Sequence, residues 1–167
     1  MKTRVALLPL GPGDEAGFVA AVRASRRLHG SWVTPPDTPA RFEALLARMD
    51  GKSNLGLVSR RRDSGALVGF IEITNIVRGS FCSAYLGYYA FAGHEGQGLM
   101  RESMKLAVRK AFTAMKLHRL EANIQPENRA SIALVEACGF SREGYSPRYL
   151  KIRGRWRDHE RWAILAS

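Results

Sequence analysis

The stretch Glu95-Gly96-Gln97-Gly98-Leu99-Met100 sets two glycines where a helix must begin. Behind it, apolar residues recur at Met100, Met104, Ala107, Val108, Ala111, Phe112 and Met115, the spacing of one buried helix face. Ahead of it, Ala84 to Phe91 reads as a strand rich in tyrosine. A helix start offers unpaired N–H groups and the positive end of the macrodipole. Glycine lets a phosphate approach that backbone with no Cβ in its path. The chemistry on offer is the seating of a phosphate or pyrophosphate, and a plain tight turn is the other reading of the same residues. Neither G-x-G-x-x-G nor a Walker loop is present. Downstream, Asn128, Ser131 and Val135 share one face of a second helix, with Asn128 and Ser131 in its first turn. Asn128 can be a simple N-cap there and Ser131 a solvated residue.

Several elements must position these residues. Arg4 to Pro9 is a short apolar strand, ended by Gly11-Pro12-Gly13, and Asp14 can cap a helix running to about Arg26. Leu28 to Pro36 is a loop carrying Trp32, after which Thr38 caps a helix with Phe42, Leu45, Leu46 and Met49 on one face. Leu55 to Arg60 and Ala66 to Val77 pair as strands around the turn Asp63-Ser64-Gly65, and a strand over Phe81 to Phe91 follows Gly79. After the long helix, Leu120, Ala122 and Ile124 alternate with Arg119, Glu121 and Asn123, a strand with one polar face. Pro126 ends it, and the Asn128 helix closes at Cys138 and Gly139. A final hairpin turns at Ile152 to Trp156.

With 167 residues, the length prior gives a single domain over 1–167. No run approaches a membrane span, residues 1–22 lack a signal-peptide pattern, and Cys82 and Cys138 have no metal spacing. The expectation is a cytoplasmic protein with reduced thiols, no metal and no membrane partner. The net charge of +11 is scattered, with clusters at Arg23/Arg26/Arg27, Arg60 to Arg62 and Arg148 to Arg161. It reads as solvated surface or as a contact to ribosome or RNA.

The glycine turn resembles the Q/R-x-x-G-x-G/A loop of the GNAT N-acetyltransferases, which cradles the pyrophosphate of acetyl-CoA. Glu95 and Met100 depart from that pattern, so Glu95 is expected to point away and leave the binding to backbone. The run Asn128, Ser131, Leu134, Cys138-Gly139-Phe140 resembles the family's second signature, in the family's order. Val77-Arg78-Gly79-Ser80, Leu86-Gly87-Tyr88, His118-Arg119, Glu143-Gly144-Tyr145 and Trp156-Arg157-Asp158-His159 are similar to the RimJ branch of the RimJ/RimL group. The resemblance implies an α/β fold around a mostly antiparallel, V-splayed sheet flanked by helices. It implies acetyl-CoA as cosubstrate, held by Tyr89, Ala90 and Phe91 along the pantetheine, by Gly96, Gln97, Gly98, Leu99 and Met100 at the pyrophosphate, and by Asn128. It also implies a protein N-terminus, that of a ribosomal protein, as acceptor, and a monomer or homodimer.

Acetyl transfer needs a neutral amine, a polarised carbonyl and a proton for the departing thiolate. At pH 7 neutralising an α-amine costs about 1 kcal/mol and a lysine about 4.6 kcal/mol, so an α-amine demands less of its base. Glu121, on the polar face of its strand, matches a glutamate that is the base in related enzymes; pairing with Arg119 or Arg101 is its other reading, and Glu72 is the reserve. Ser131 matches a serine that serves the thiolate, with Tyr145 and Tyr149 as substitutes. Acetylation of a small amine such as an antibiotic or polyamine, or ribosome docking with secondary catalysis, are the alternative functions.

Overall fold

In the computed structural model, which describes residues 2–167, one seven-stranded sheet organises the chain. Its strands are β1 (Val5–Pro9), β2 (Leu55–Arg61), β3 (Leu67–Val77), β4 (Ser83–Ala90), β5 (Arg119–Ile124), β6 (Ser141–Ile152) and β7 (Arg155–Leu165). Their order across the sheet is β1-β2-β3-β4-β5-β7-β6, and every neighbouring pair is antiparallel except β4 with β5.

That parallel junction is brief. It pairs Ser83 with Arg119, Ala84 with Leu120 and Tyr85 with Glu121, and then stops. β4 continues to Ala90 against β3 alone, while β5 continues to Ile124 against β7 alone. The two strands therefore part after Tyr85 and Glu121, as the V-splayed sheet requires.

The helices are α1 (Glu15–Ala24), α2 (Arg26–His29), α3 (Pro39–Arg48), α4 (Leu99–Thr113) and α5 (Arg129–Ala137). One sheet face packs α4 and α5 through Leu57, Ile71, Leu86, Met104, Ala107, Leu120, Val135 and Trp162. The other face packs α1 and α3 through Phe18, Phe42, Leu45, Val58, Phe70 and Phe91. Strand alternation sorts these sets. In β3, Phe70 goes to one core and Ile71 to the other, and in β5 Leu120, Ala122 and Ile124 are buried while Glu121 and Asn123 turn to the α1/α3 side.

The helix ends follow their sequences. Thr38 Oγ1 accepts from the Arg41 N–H at 3.3 Å, and Asn128 Oδ1 from the Ser131 N–H at 3.3 Å. Gly139 follows α5 at φ +91°, where a side chain would be strained. The expected first helix differs in two respects. Asp14 accepts from the Gly11 N–H rather than capping α1. The helix also breaks at Ser25, whose Oγ is hydrogen-bonded to the Ala21 carbonyl and to the Ala92 N–H. The residues beyond it form α2, displacing the expected loop start at Leu28.

Candidate active site

Where β4 and β5 part, a cavity of about 370 Å³ opens. Tyr88, Tyr89 and Ala90 line it from β4 with Phe91 just beyond, Gly96, Gly98, Leu99, Met100 and Arg101 from the turn into α4 with Gln97 left outside, Asn128 and Ser131 from the start of α5, and His29 and Trp32 from the N-terminal third.

The glycine turn sits at one end. Gly96 has φ +70° and Gly98 φ +75°, the left-handed region that a Cβ disfavours. Gly98 is the N-cap of α4 and, among the described residues, no side chain caps that helix, so its first-turn N–H groups are available to an anion. Arg4 buttresses the turn by donating to the Gln97 carbonyl at 2.9 Å, while its Nε donates to Glu102 at 2.6 Å. Glu95 folds back to accept from the Gly93 N–H at 2.7 Å, and hydrogen bonds from its own backbone N–H and from that of Gly93 hold its carboxyl below the usual range. Arg101, which the sequence offers only as a possible partner for Glu121, lines the cavity instead.

Along β4 the ladder determines which backbone groups are free. The Phe91 N–H donates to the Val68 carbonyl at 2.8 Å, so by antiparallel alternation Tyr89 and Phe91 direct their amides to β3. Leu86, Tyr88 and Ala90 direct theirs to the open side. The Cys82 carbonyl, of the same parity, accepts from the His118 N–H on the β5 side at 2.7 Å. Of the three β4-side residues expected along the pantetheine, Ala90 therefore has its backbone groups on the open side with Leu86 and Tyr88, while Tyr89 and Phe91 turn theirs to β3. His29 closes the far end of the edge, its Nε2 donating to the Ala90 carbonyl at 2.7 Å, and burial keeps this imidazole below its usual pKa.

Tyr88 Oη and Ser131 Oγ are 2.6 Å apart on the α4/α5 side of the opening. Burial pushes the Tyr88 phenol far above its ordinary range, so it keeps its proton. Its position in a tyrosine-rich strand was visible in sequence, but its pairing with Ser131 was not. Tyr145 and Tyr149 lie elsewhere: Tyr145 donates to Asp158 at 2.5 Å, and the Tyr149 ring packs at 6.3 Å from that of His159.

The two carboxylates differ. Glu121 Oε1 accepts from Arg119 Nε at 2.8 Å, the pairing considered as its other role, and Arg119 also binds Glu143 with both Nη atoms. Glu72 has no hydrogen bond among the described residues, and its sole ion pair is a 3.9 Å contact to the exposed Arg48. Burial pushes its carboxyl up against the weaker pull of Arg48.

Residues 4–141 match the family described as Acetyltransferase (GNAT) domain. The chain belongs to the GNAT acetyltransferases. Within that family it is 41% identical over 137 residues to the [Ribosomal protein uS5]-alanine N-acetyltransferase of Escherichia coli (strain K12), covering 74% of this chain and 71% of that protein. It is 35% identical to the Spermidine N(1)-acetyltransferase of Vibrio cholerae, covering 100% of this chain and 96% of that one. Mycobacterium smegmatis RimJ in complex with CoA-disulfide superposes with TM-score 0.88 at 29% identity, over 97% of this chain and 82% of that one. GNAT acetyltransferases use acetyl-CoA, and in this chain the open edge, the glycine turn and the Tyr88–Ser131 pair all meet at one cavity.

Proposed function

We propose that this enzyme moves the acetyl group of acetyl-CoA to the N-terminal α-amine of a protein, a ribosomal protein being the acceptor, by direct attack. The observation that carries the transfer chemistry is the parting of β4 and β5 beyond Tyr85 and Glu121, next to the Tyr88–Ser131 pair. The 41% identity to the uS5-alanine acetyltransferase supports the acceptor.

In this reading the backbone amides of Gly96 to Met100, aided by Arg101, hold the pyrophosphate. The pantetheine amides pair with Leu86 and Tyr88 as a strand would, passing Asn128 and the lining side chains of Tyr89 and Phe91. The amine nitrogen attacks the thioester carbon, the C–N bond forms and the C–S bond breaks. The departing sulfur lies toward α5, where Ser131 and the proton-bearing Tyr88 hydrogen-bond to the developing thiolate and relay a proton to it.

The test is acetyl-CoA turnover against peptides starting with Ala, Ser or Met. Controls are the same peptides with a blocked N-terminus and one free lysine, and the acetyl group is located by fragment mass spectrometry. Transfer confined to free N-termini is the expected result; transfer to lysine or to no peptide refutes it. A second reading, a polyamine acceptor, rests on the full-length match to the spermidine acetyltransferase, and spermidine in the same assay separates the two.

A further inference from the structure

By sequence alone Glu121 is the candidate base for the amine and Glu72 the reserve, and the register across the sheet separates the two. On the α1/α3 face, Glu72 of β3 stands between Gly56 of β2 and Gly87 of β4, its two register partners. Met49 fills the place that a side chain on Gly56 would take, coming within 3.0 Å of it. No such filler covers Gly87. There Glu72 itself occupies the space: a Cβ on Gly87 would lie 3.0 Å from Glu72 Oε1 and 3.1 Å from its Cγ. The carboxylate therefore leans over bare β4 backbone toward the opening.

Gly87 lies two residues beyond the last rung that β4 shares with β5. Its neighbours Leu86 and Tyr88 own the free backbone edge, so the carboxylate sits at the level where a thioester would rest. Tyr88 and Ser131 approach that level from the opposite face. Glu121 is two residues back, on the last paired rung opposite Tyr85, and is held by Arg119.

We propose that Glu72 binds the acceptor ammonium on the α1/α3 side of the cleft and takes its proton, facing the Tyr88–Ser131 pair across the thioester. This rests on the acetyl-transfer reading above. The proton balance is complete. One ammonium proton passes to the Glu72 carboxylate, and the neutral nitrogen attacks the carbonyl carbon. The C–S bond then breaks, the second proton leaves the new amide nitrogen for water, the thiolate takes a proton relayed through the Tyr88 and Ser131 hydroxyls, which recover theirs from water, and Glu72 gives up its proton to solvent before the next turnover. The charged and titratable groups facing Glu72 are Arg48 of α3 and Tyr89 of β4. Arg48 is exposed and distant enough to leave the carboxylate basic, and Tyr89 stays neutral because burial pushes its phenol up. A carboxyl whose pKa is raised by burial stands nearer the pH at which an α-amine can be deprotonated.

The decisive experiment compares wild type with Glu72→Gln in the full chain. The readouts are kcat/KM against pH for an Ala-initiated peptide, acetyl-CoA affinity by calorimetry, and thermal melting at pH 8. Glu72→Gln is expected to lower kcat/KM about 10²–10⁴-fold and to remove the acid limb assigned to the carboxylate, leaving acetyl-CoA affinity within about twofold. Its Tm at pH 8 is expected to be equal or higher, because a carboxyl with a raised folded pKa destabilises the fold once ionised. Glu72→Asp should keep the limb at reduced turnover. A Glu72→Gln protein with kcat/KM within about threefold of wild type overturns the inference. So does parallel loss of activity and Tm reproduced by Arg48→Ala, which would make Glu72 a structural partner of Arg48. Wild-type protein that acetylates no amine overturns the transfer reading itself, and this inference with it.

Discussion

Replacing Tyr88 by Phe removes one oxygen from the active site and leaves the ring in place. The ring packs against the α4/α5 core, so the loss falls on the 2.6 Å contact with Ser131 Oγ rather than on packing. In the resting enzyme that contact is one neutral hydrogen bond, with a net value of about 1 kcal/mol. When the sulfur leaves as thiolate, the same chain of hydroxyls donates to a charged acceptor, where a hydrogen bond is worth about 1.5–3 kcal/mol. Because this gain exists only as charge develops, its removal should appear in kcat, by about 10–100-fold, with little change in acetyl-CoA affinity. Ser131→Ala should behave alike. The double variant should lose little more than either single one, since both act through one chain. Free CoA production, followed with a thiol-reactive dye under saturating acetyl-CoA, reads kcat, and calorimetry reads affinity. Losses that multiply in the double variant, or an equal loss in kcat and affinity, would refute a shared role at the sulfur.

Other predictions concern the turn, the acceptor face and the ion-paired rim. Gly98→Val forces a β-branched residue to φ +75° and sets its side chain in the phosphate seat; acetyl-CoA affinity measured by calorimetry should fall at least about tenfold. Gly87→Ala places a methyl 3.0 Å from Glu72 Oε1, so the carboxylate must retreat; peptide kcat/KM should drop while acetyl-CoA affinity holds. Arg119→Gln removes the partner that keeps the Glu143 carboxyl below its ordinary range. A depressed carboxyl contributes stability above its unfolded pKa and loses it as pH falls. The Tm deficit of this variant should thus be present at pH 7 and shrink below about pH 4, which melting curves across pH would reveal.

The layered fold was legible because its signals are local. The alternation Leu120, Ala122, Ile124 and the spacing of Met104, Ala107 and Ala111 each declare a buried face without reference to the rest of the chain. The glycine turn, and Thr38 and Asn128 as caps, are readable for the same reason. What escaped depends on partners far away in sequence. Nothing within β4 tells whether Tyr88 or Tyr89 turns its amides toward β3, because that parity is set by the pairing of Val68 with Phe91. The break at Ser25 serves the Ala92 N–H, sixty-seven residues on. Glu72 and Glu121 both alternate onto the α1/α3 side of the sheet, and only the Arg119 pair and the bare Gly87 backbone separate them.

The unpaired edge of β4 has a consequence for the lifetime of the protein as well as for its chemistry. An open strand edge is a template for unwanted pairing between chains. His29 and Ser25 cover its last groups at Ala90 and Ala92, so the vulnerable run is confined to Leu86 and Tyr88. In the proposed complex the pantetheine completes that run as a borrowed strand, and the cosubstrate becomes part of the folded structure. At a hundredfold excess over its dissociation constant such a ligand adds about 2.7 kcal/mol to stability. A cell short of acetyl-CoA would then hold the enzyme in its more fragile form, so that metabolic supply governs how much of it survives.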